Sequence, residues 1–415
     1  MKLRLPALTL VLGVVLLLVS SCTTSRPNPA PADQLILISI DGFRWDYLKK
    51  CPTPALRQLA AAGVHATRLT PSFPSKTFPN HYTLVTGLRP EHHGIVSNNF
   101  FDPALKASFN KNSSEDNGDG RWWQQGEPVW ITAEKQGVRS ACFLWPGGEA
   151  EIHGRRSSFY RPFEKRLTSN QRVDGLLEWL ALPAGQRPRF SALYLDVVDV
   201  AGHKYGPEAP ETIAAVQEAD AALARLLDGL TRLGLRDSTS LVVVSDHGLS
   251  ETSTDRVIFL EDLMDVTKVQ VESTGPNGGV RPLSGTAAGL VAQIRARAPA
   301  HLQAYVRAEV PARFHYRANP RIPPVVLIAD DHWMIESKAG WPNFAPTYNR
   351  GNHGWDPATP NMGALFIAHG PVFRRGVEIP DVENIHLYNL LCAALGLTPA
   401  PNDGDQRLVR TALRR

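Results

Sequence analysis

LVVVSDHG, residues 241–248, sets four apolar residues directly before Ser245, Asp246, His247 and Gly248. A continuous apolar run of this kind suits a strand covered on both faces of a parallel sheet; a half-exposed strand would alternate. Three more runs share the form. LILISI (35–40) leads into Asp41-Gly42, FSALYL (190–195) into Asp196 to Asp199, and ALFI (364–367) into Ala368-His369-Gly370. Between them, PALRQLAAA (54–62) ends at Gly63, and residues 209–230 repeat apolar positions at three- and four-residue steps, as a helix packed on a sheet requires. The alternation predicts an α/β fold, a mostly parallel central sheet with helices on both faces. Residues near 100–170 and 254–335 are richer in Gly, Pro and irregular pattern, and read as loop or small-sheet insertions on one domain spanning 34–412.

Asp41, Asp199 and Asp246 each follow a predicted strand end. In open parallel sheets the ligand site lies at that edge, so three strands would deliver three carboxylates to one place. His247 adjoins Asp246, His203 follows Asp199 by four residues with Gly202 between to turn the chain back, and His353 sits in the Gly-flanked loop GNHGWDP. A single aspartate after a strand is more often a turn or cap residue; the combination of three aspartates and three histidines is what points to a site. That nitrogen/oxygen set, free of cysteine, suits zinc, with other transition metals open.

The N-terminus has its own logic. Lys2 and Arg4 precede an apolar stretch, Leu8 to Val19, too short to span a bilayer comfortably, and it ends Val19-Ser20-Ser21-Cys22. Residues 1–21 read as an export signal, and the ending resembles a bacterial lipobox, in which Cys22 is lipidated and becomes the mature N-terminus. TTSRPNPAPAD, within residues 22–33, would then be a tether to the membrane. The expected location is the bacterial cell envelope, facing the periplasm or exterior. Without Lys2 and Arg4 the formal charge of +4 becomes +2, which gives no support for specific nucleic-acid binding. Cys51, Cys142 and Cys392 remain, with no C-x-x-C pair, which gives no support for a thiolate zinc site or redox motif.

"LILISIDGFRWDYL", "SFPSKTFPNHYTLVTGLRPEHHGIVSNNF", "LYLDVVDVAGHKYGP", "LVVVSDHGLS" and "GNHGWDP" resemble, in order, the motifs of the nucleotide pyrophosphatase/phosphodiesterase family of the alkaline phosphatase superfamily. The likeness runs over roughly residues 34–400 and implies an alkaline-phosphatase-like fold. It also implies a two-zinc site, with Asp199, His203 and His353 on one Zn²⁺ and Asp41, Asp246 and His247 on the other. Thr77 would lie between the metals as nucleophile, and Asn98 would hydrogen-bond a phosphate oxygen. A threonine hydroxyl is a poor nucleophile at neutral pH, and metal contact supplies what a neighbouring base otherwise would. The resemblance places Phe78 against a nucleobase, with Tyr160 as the opposing wall; Trp145 reads as scaffold.

The implied activity is hydrolysis of nucleotide phosphodiester and pyrophosphate bonds to nucleoside 5′-monophosphates through a phospho-threonine intermediate. The alternatives within the superfamily are a choline-phosphodiester or lysophospholipid phosphodiesterase, a phosphonoacetate hydrolase and a phosphomonoesterase. His92-His93 and Asp330-Asp331-His332 fall outside the ligand motifs and read as structural. Lys76 reads as pointing to solvent, and Asn80 and His81 as holding the loop after Thr77. Pro74 and Pro79 would stiffen a turn with Thr77 at its tip.

Overall fold

The computed structural model describes residues 31–339 and 341–414. Eight strands form the main sheet: β1 (Gln34–Ile40), β2 (Val64–Ala66), β3 (Ser140–Phe143), β4 (Phe159–Arg161), β5 (Phe190–Leu195), β6 (Thr239–Val244), β11 (Phe366–His369) and β12 (Val377–Ile379). Their order across the sheet is β12-β2-β11-β6-β1-β5-β3-β4. β1 pairs in parallel with β5 and β6, so Asp41, the start of the 196–199 segment and Asp246 all leave one edge. The α/β class and the parallel centre are as the sequence predicts. The run at 364–367 differs: its strand, β11, is antiparallel to both β6 and β2. An apolar run reports burial on both faces and is silent about direction, which the connection decides. The irregular stretch near 100–170 supplies β3 and β4 to this sheet, because β3 pairs in parallel with β5. Residues 254–335 carry a second, four-stranded antiparallel sheet, β7 (Val269–Ser273), β8 (Asn277–Pro282), β9 (Leu302–Val306) and β10 (Val325–Ala329), in the order β7-β8-β10-β9. The apolar cluster of this sheet centres on Val280, Leu327 and Ile294.

Four helices pack around the site and its sheet. α1 (Pro54–Ala62) has no side-chain cap from Thr53. Asp220, on the long helix α4 (Pro210–Arg232), fills that need from across the fold: its carboxylate accepts from the Leu56 and Ala55 amides at 2.8 and 3.2 Å. α2 (Thr77–Thr86) begins at Thr77, and all ten of its residues are buried. That explains why the sequence there shows no amphipathic period, and Pro79 is tolerated because it falls in the first turn. Thr77 therefore opens a helix, not a turn. α3 (Val197–Tyr205) follows β5 directly, which puts Asp199 and His203 one turn apart on one face. Gly202 sits inside that helix and allows close packing instead of a turn, since a Cβ there would stand 2.4 Å from Leu249 Cδ1. Gly42, with φ +70°, likewise lets the end of β1 approach the Asp199 backbone. Cys51, Cys142 and Cys392 are buried free thiols.

Candidate active site at the sheet edge

Asp41, Asp199, His203, Asp246, His247 and His353 converge. His203 Nε2 and His353 Nε2 lie 3.4 and 3.7 Å from Asp199 Oδ1. His247 Nε2 lies 2.9 Å from Asp246 Oδ2 and 3.4 Å from Asp41 Oδ1. Three candidate ligand groups result among the described residues: Asp199-His203-His353 and Asp41-Asp199-His247, which share Asp199, and Asp41-His81-Asp246. Thr77 Oγ1 is 3.3 Å from His247 Nε2, at the N-terminus of α2, where the helix end favours negative charge.

The donor chemistry fits divalent cations. Each histidine gives its Nδ1–H to a backbone carbonyl: His203 to Gly351 at 2.9 Å, His247 to Gly248 at 3.0 Å, His353 to Ser75 at 2.8 Å. In the neutral ring this fixes the tautomer and leaves Nε2 as a bare acceptor facing the cluster. Asp41 Oδ1, Asp199 Oδ1 and Asp246 Oδ2 are buried atoms that accept no hydrogen bond. Burial, with the Asp246 and Asp199 carboxylates beside it, pushes the Asp41 carboxyl well above the usual carboxylate range. Burial, with His247 and His203 beside it, pushes His353 well below the usual imidazole range. Acceptors gathered in so dry a place are stabilised by cations held among them.

Neighbours missed in the sequence support the ligands. The Tyr194 hydroxyl donates to Asp41 Oδ2 at 2.5 Å, and the Gly42 amide to Asp246 Oδ1 at 3.2 Å. His81 lies one helical turn after Thr77, with Nδ1 2.9 Å from the Thr77 carbonyl and 3.3 Å from Asp246 Oδ2. It thus stands in a candidate ligand group of its own with Asp41 and Asp246, beyond holding the chain after Thr77. The i, i+4 spacing from Thr77 would have exposed it had α2 been legible; Tyr194 reaches Asp41 only through the β1–β5 register.

Two cavities flank the cluster. One, of about 230 Å³, is lined by Thr77, Phe78, Trp145, Glu149 and Phe163. Phe78 is braced by Phe109 and Trp123, with ring centroids 5.6 and 6.2 Å away. Burial pushes the Glu149 carboxyl up to about 7. Tyr160 is not in this wall. It lies on edge strand β4 with its ring exposed under Arg156, while Phe159 packs on Trp179. Successive strand residues face opposite ways, and after Pro162 the chain turns so that Phe163 stands 6.1 Å from the Tyr194 ring and lines the cavity. Trp145 both lines the cavity and packs on His81.

The other cavity, of about 580 Å³, is lined by Lys76, Asn98, Lys111, Lys204, His203 and His353. Lys76 does not point to solvent: only 7% exposed, it sits 3.5 Å from Ser97 Oγ, and burial, with Lys111 nearby, pushes its ammonium down to about 8. Asn98 Oδ1 accepts the Phe78 amide at 2.9 Å, which leaves its Nδ2–H donors for a ligand beside Thr77. His92 pairs with Asp403, buried His93 bonds Thr83, and His332 bonds the Glu251 carbonyl, all apart from the ligand groups. Cys22 and the export signal lie outside the described residues, among which no helix is long and apolar enough to cross a membrane.

A family model described as type I phosphodiesterase / nucleotide pyrophosphatase matches residues 35–356. An uncharacterised pyrophosphatase/phosphodiesterase of Schizosaccharomyces pombe is 40% identical over 379 residues, 89% of this chain and 78% of that protein. Human ectonucleotide pyrophosphatase/phosphodiesterase family member 1 is 38% identical over 89% of this chain, which spans only 40% of that longer protein. Among solved structures, murine ectonucleotide pyrophosphatase/phosphodiesterase 5, an inactive threonine-to-alanine variant in complex with AMP, superposes with a TM-score of 0.86. It is 35% identical, over 92% of this chain and 100% of the murine one.

Proposed function

The chain belongs to the type I phosphodiesterase/nucleotide pyrophosphatase family, hydrolases of phosphodiester and pyrophosphate bonds, and on that premise we propose that it cleaves nucleotides to nucleoside 5′-monophosphates, with Thr77 as nucleophile. The observation that carries this reading is the trio of unpartnered buried oxygens, Asp41 Oδ1, Asp199 Oδ1 and Asp246 Oδ2, gathered beside Thr77 Oγ1. The AMP complex of the murine threonine-to-alanine variant supports it. In our reading Asp199, His203 and His353 hold one Zn²⁺, and Asp41, Asp246, His247 and Thr77 hold the second. Bound there, the zincs would favour the Thr77 alkoxide and offset charge on the phosphoryl oxygens.

The chain's own residues do the rest. Thr77 Oγ1 forms a bond to phosphorus as the bond from phosphorus to the leaving oxygen breaks, giving a nucleoside phospho-threonine diester. Water then attacks phosphorus, the bond to Thr77 Oγ1 breaks, and the hydroxyl and the 5′-monophosphate are released. Asn98 Nδ2 and the N-terminus of α2 receive the non-bridging oxygens. Phe78 and Phe163 form the walls for the base, with Glu149 within reach of its edge, and Lys76, Lys111 and Lys204 face an anionic leaving group. Residues 34–412 act as one catalytic domain, carried on a lipid-anchored tether beginning at Cys22.

The direct test is a substrate panel. Metal-loaded enzyme should cleave p-nitrophenyl thymidine 5′-monophosphate far faster than p-nitrophenyl phosphate. A preference for the monoester overturns the reading, and a preference for p-nitrophenyl phosphorylcholine moves it to lipid head groups. On the thymidine substrate, Phe163→Ala should raise KM by about tenfold, the scale of one base–aromatic stack. Tyr160→Ala should leave KM within about twofold, because stacking acts only where the ring meets the base.

A further inference from the structure

At the opposite edge of the main sheet lies a second cationic cavity, of about 480 Å³, lined by Arg236, Arg375, Arg414, His369 and Asp237. Four segments build it. Arg236 and Asp237 precede β6, His369 ends β11, Arg375 precedes β12, and Arg414 is pinned from the C-terminus, its backbone N–H donating to the Val372 carbonyl and its Nε to the Phe373 carbonyl. Gly370, at φ +132°, folds this corner tightly; a Cβ there would stand 2.6 Å from Ser240 Cα.

Three guanidiniums converge here, and among the described residues none of them makes an ion pair. His369 Nδ1 is a buried ring atom with no hydrogen-bond partner. Burial, reinforced by Arg236 and Arg375, holds its imidazole below the usual range and so neutral near pH 7. Asp237, exposed at the rim, is the cavity's carboxylate against three cations. A pocket with forked donors, an unpartnered ring nitrogen and a surplus of positive charge is complementary to a tetrahedral anion.

We propose that this cavity is a phosphate-binding site, separate from the reactive centre, in which Arg236, Arg375 and Arg414 grip the oxygens of a phosphate group beside His369. The phosphate is either a free ion or the head group of an acidic lipid. Gln34, the first residue of β1, pairs with Thr239 at this same edge, so the edge is the one from which residues 31–33 lead into the sheet.

The test follows the His369 ring resonances in metal-loaded, histidine-labelled full-length protein, assigned with His369→Gln. Inorganic phosphate should shift them saturably, while sodium chloride at matched ionic strength should not. The Arg236→Gln/Arg375→Gln double variant should bind phosphate about tenfold or more weakly at this site and keep normal turnover of p-nitrophenyl thymidine 5′-monophosphate. Vesicles of phosphatidylcholine with phosphatidylglycerol separate the sources: a shift with vesicles assigns the site to lipid, and a shift with free phosphate alone assigns it to the soluble ion. No saturable shift with either, or an equal shift in the double variant, overturns the proposal.

Discussion

Thr77→Ala is expected to lower turnover by at least about 10⁴-fold, the scale on which removal of a covalent nucleophile acts. The fold should survive, because the bond that ties this residue to His81 uses the Thr77 backbone carbonyl, not its side chain. Alanine is also the best helix former and suits the first turn of α2. Metal content should fall little, since the aspartates and histidines of the ligand groups remain. Kinetics, metal analysis and thermal unfolding on one preparation distinguish the cases. Loss of turnover with metal and fold retained assigns Thr77 to the chemistry. Normal turnover removes it, and loss of all three would make Thr77 structural.

The second large effect concerns the cluster itself. Stripping metal with a chelator should abolish turnover, and adding zinc should restore it. It should also lower the thermal midpoint, because ligand binding to the folded state alone is a stability term. The reason lies in the unpartnered oxygens of Asp41, Asp199 and Asp246: without cations they crowd like charges into a largely buried site. The Tyr194 hydroxyl and the Gly42 amide satisfy only the oxygens that face away from the centre. A stripped enzyme that kept full activity and full stability would mean that the cluster serves neither catalysis nor structure.

What could be seen in the sequence, and what could not, divides along physical lines. The aspartates were legible because parallel strands concentrate chemistry at their C-terminal ends, and the apolar runs at 35–40, 190–195 and 241–244 mark those ends without ambiguity. The ligand set needed the histidines as well, and His353 was found by its Gly-flanked motif, since nothing local predicts that its Nδ1 would meet the Ser75 carbonyl. α2 was illegible because a helix buried on every side has no polar face to give a period. Without that helix the reach of His81 to Asp246 stays hidden. The resemblance points to Tyr160 for the opposing wall, but the side chain's direction depends on the pairing of β4 with β3, which only the sheet decides, and Phe163, past the end of β4, lines the cavity instead. The ordinary behaviour of lysine points Lys76 to solvent; here Ser97 and the second cavity take it inward.

The central claim is that a nucleoside phosphoryl group passes through Thr77 on its way to water. The stereochemical course at phosphorus tests it most directly. With a chiral phosphorothioate diester hydrolysed in isotopically labelled water, two in-line displacements predict net retention of configuration. Net inversion would show that water attacks the substrate in a single step and would contradict the account.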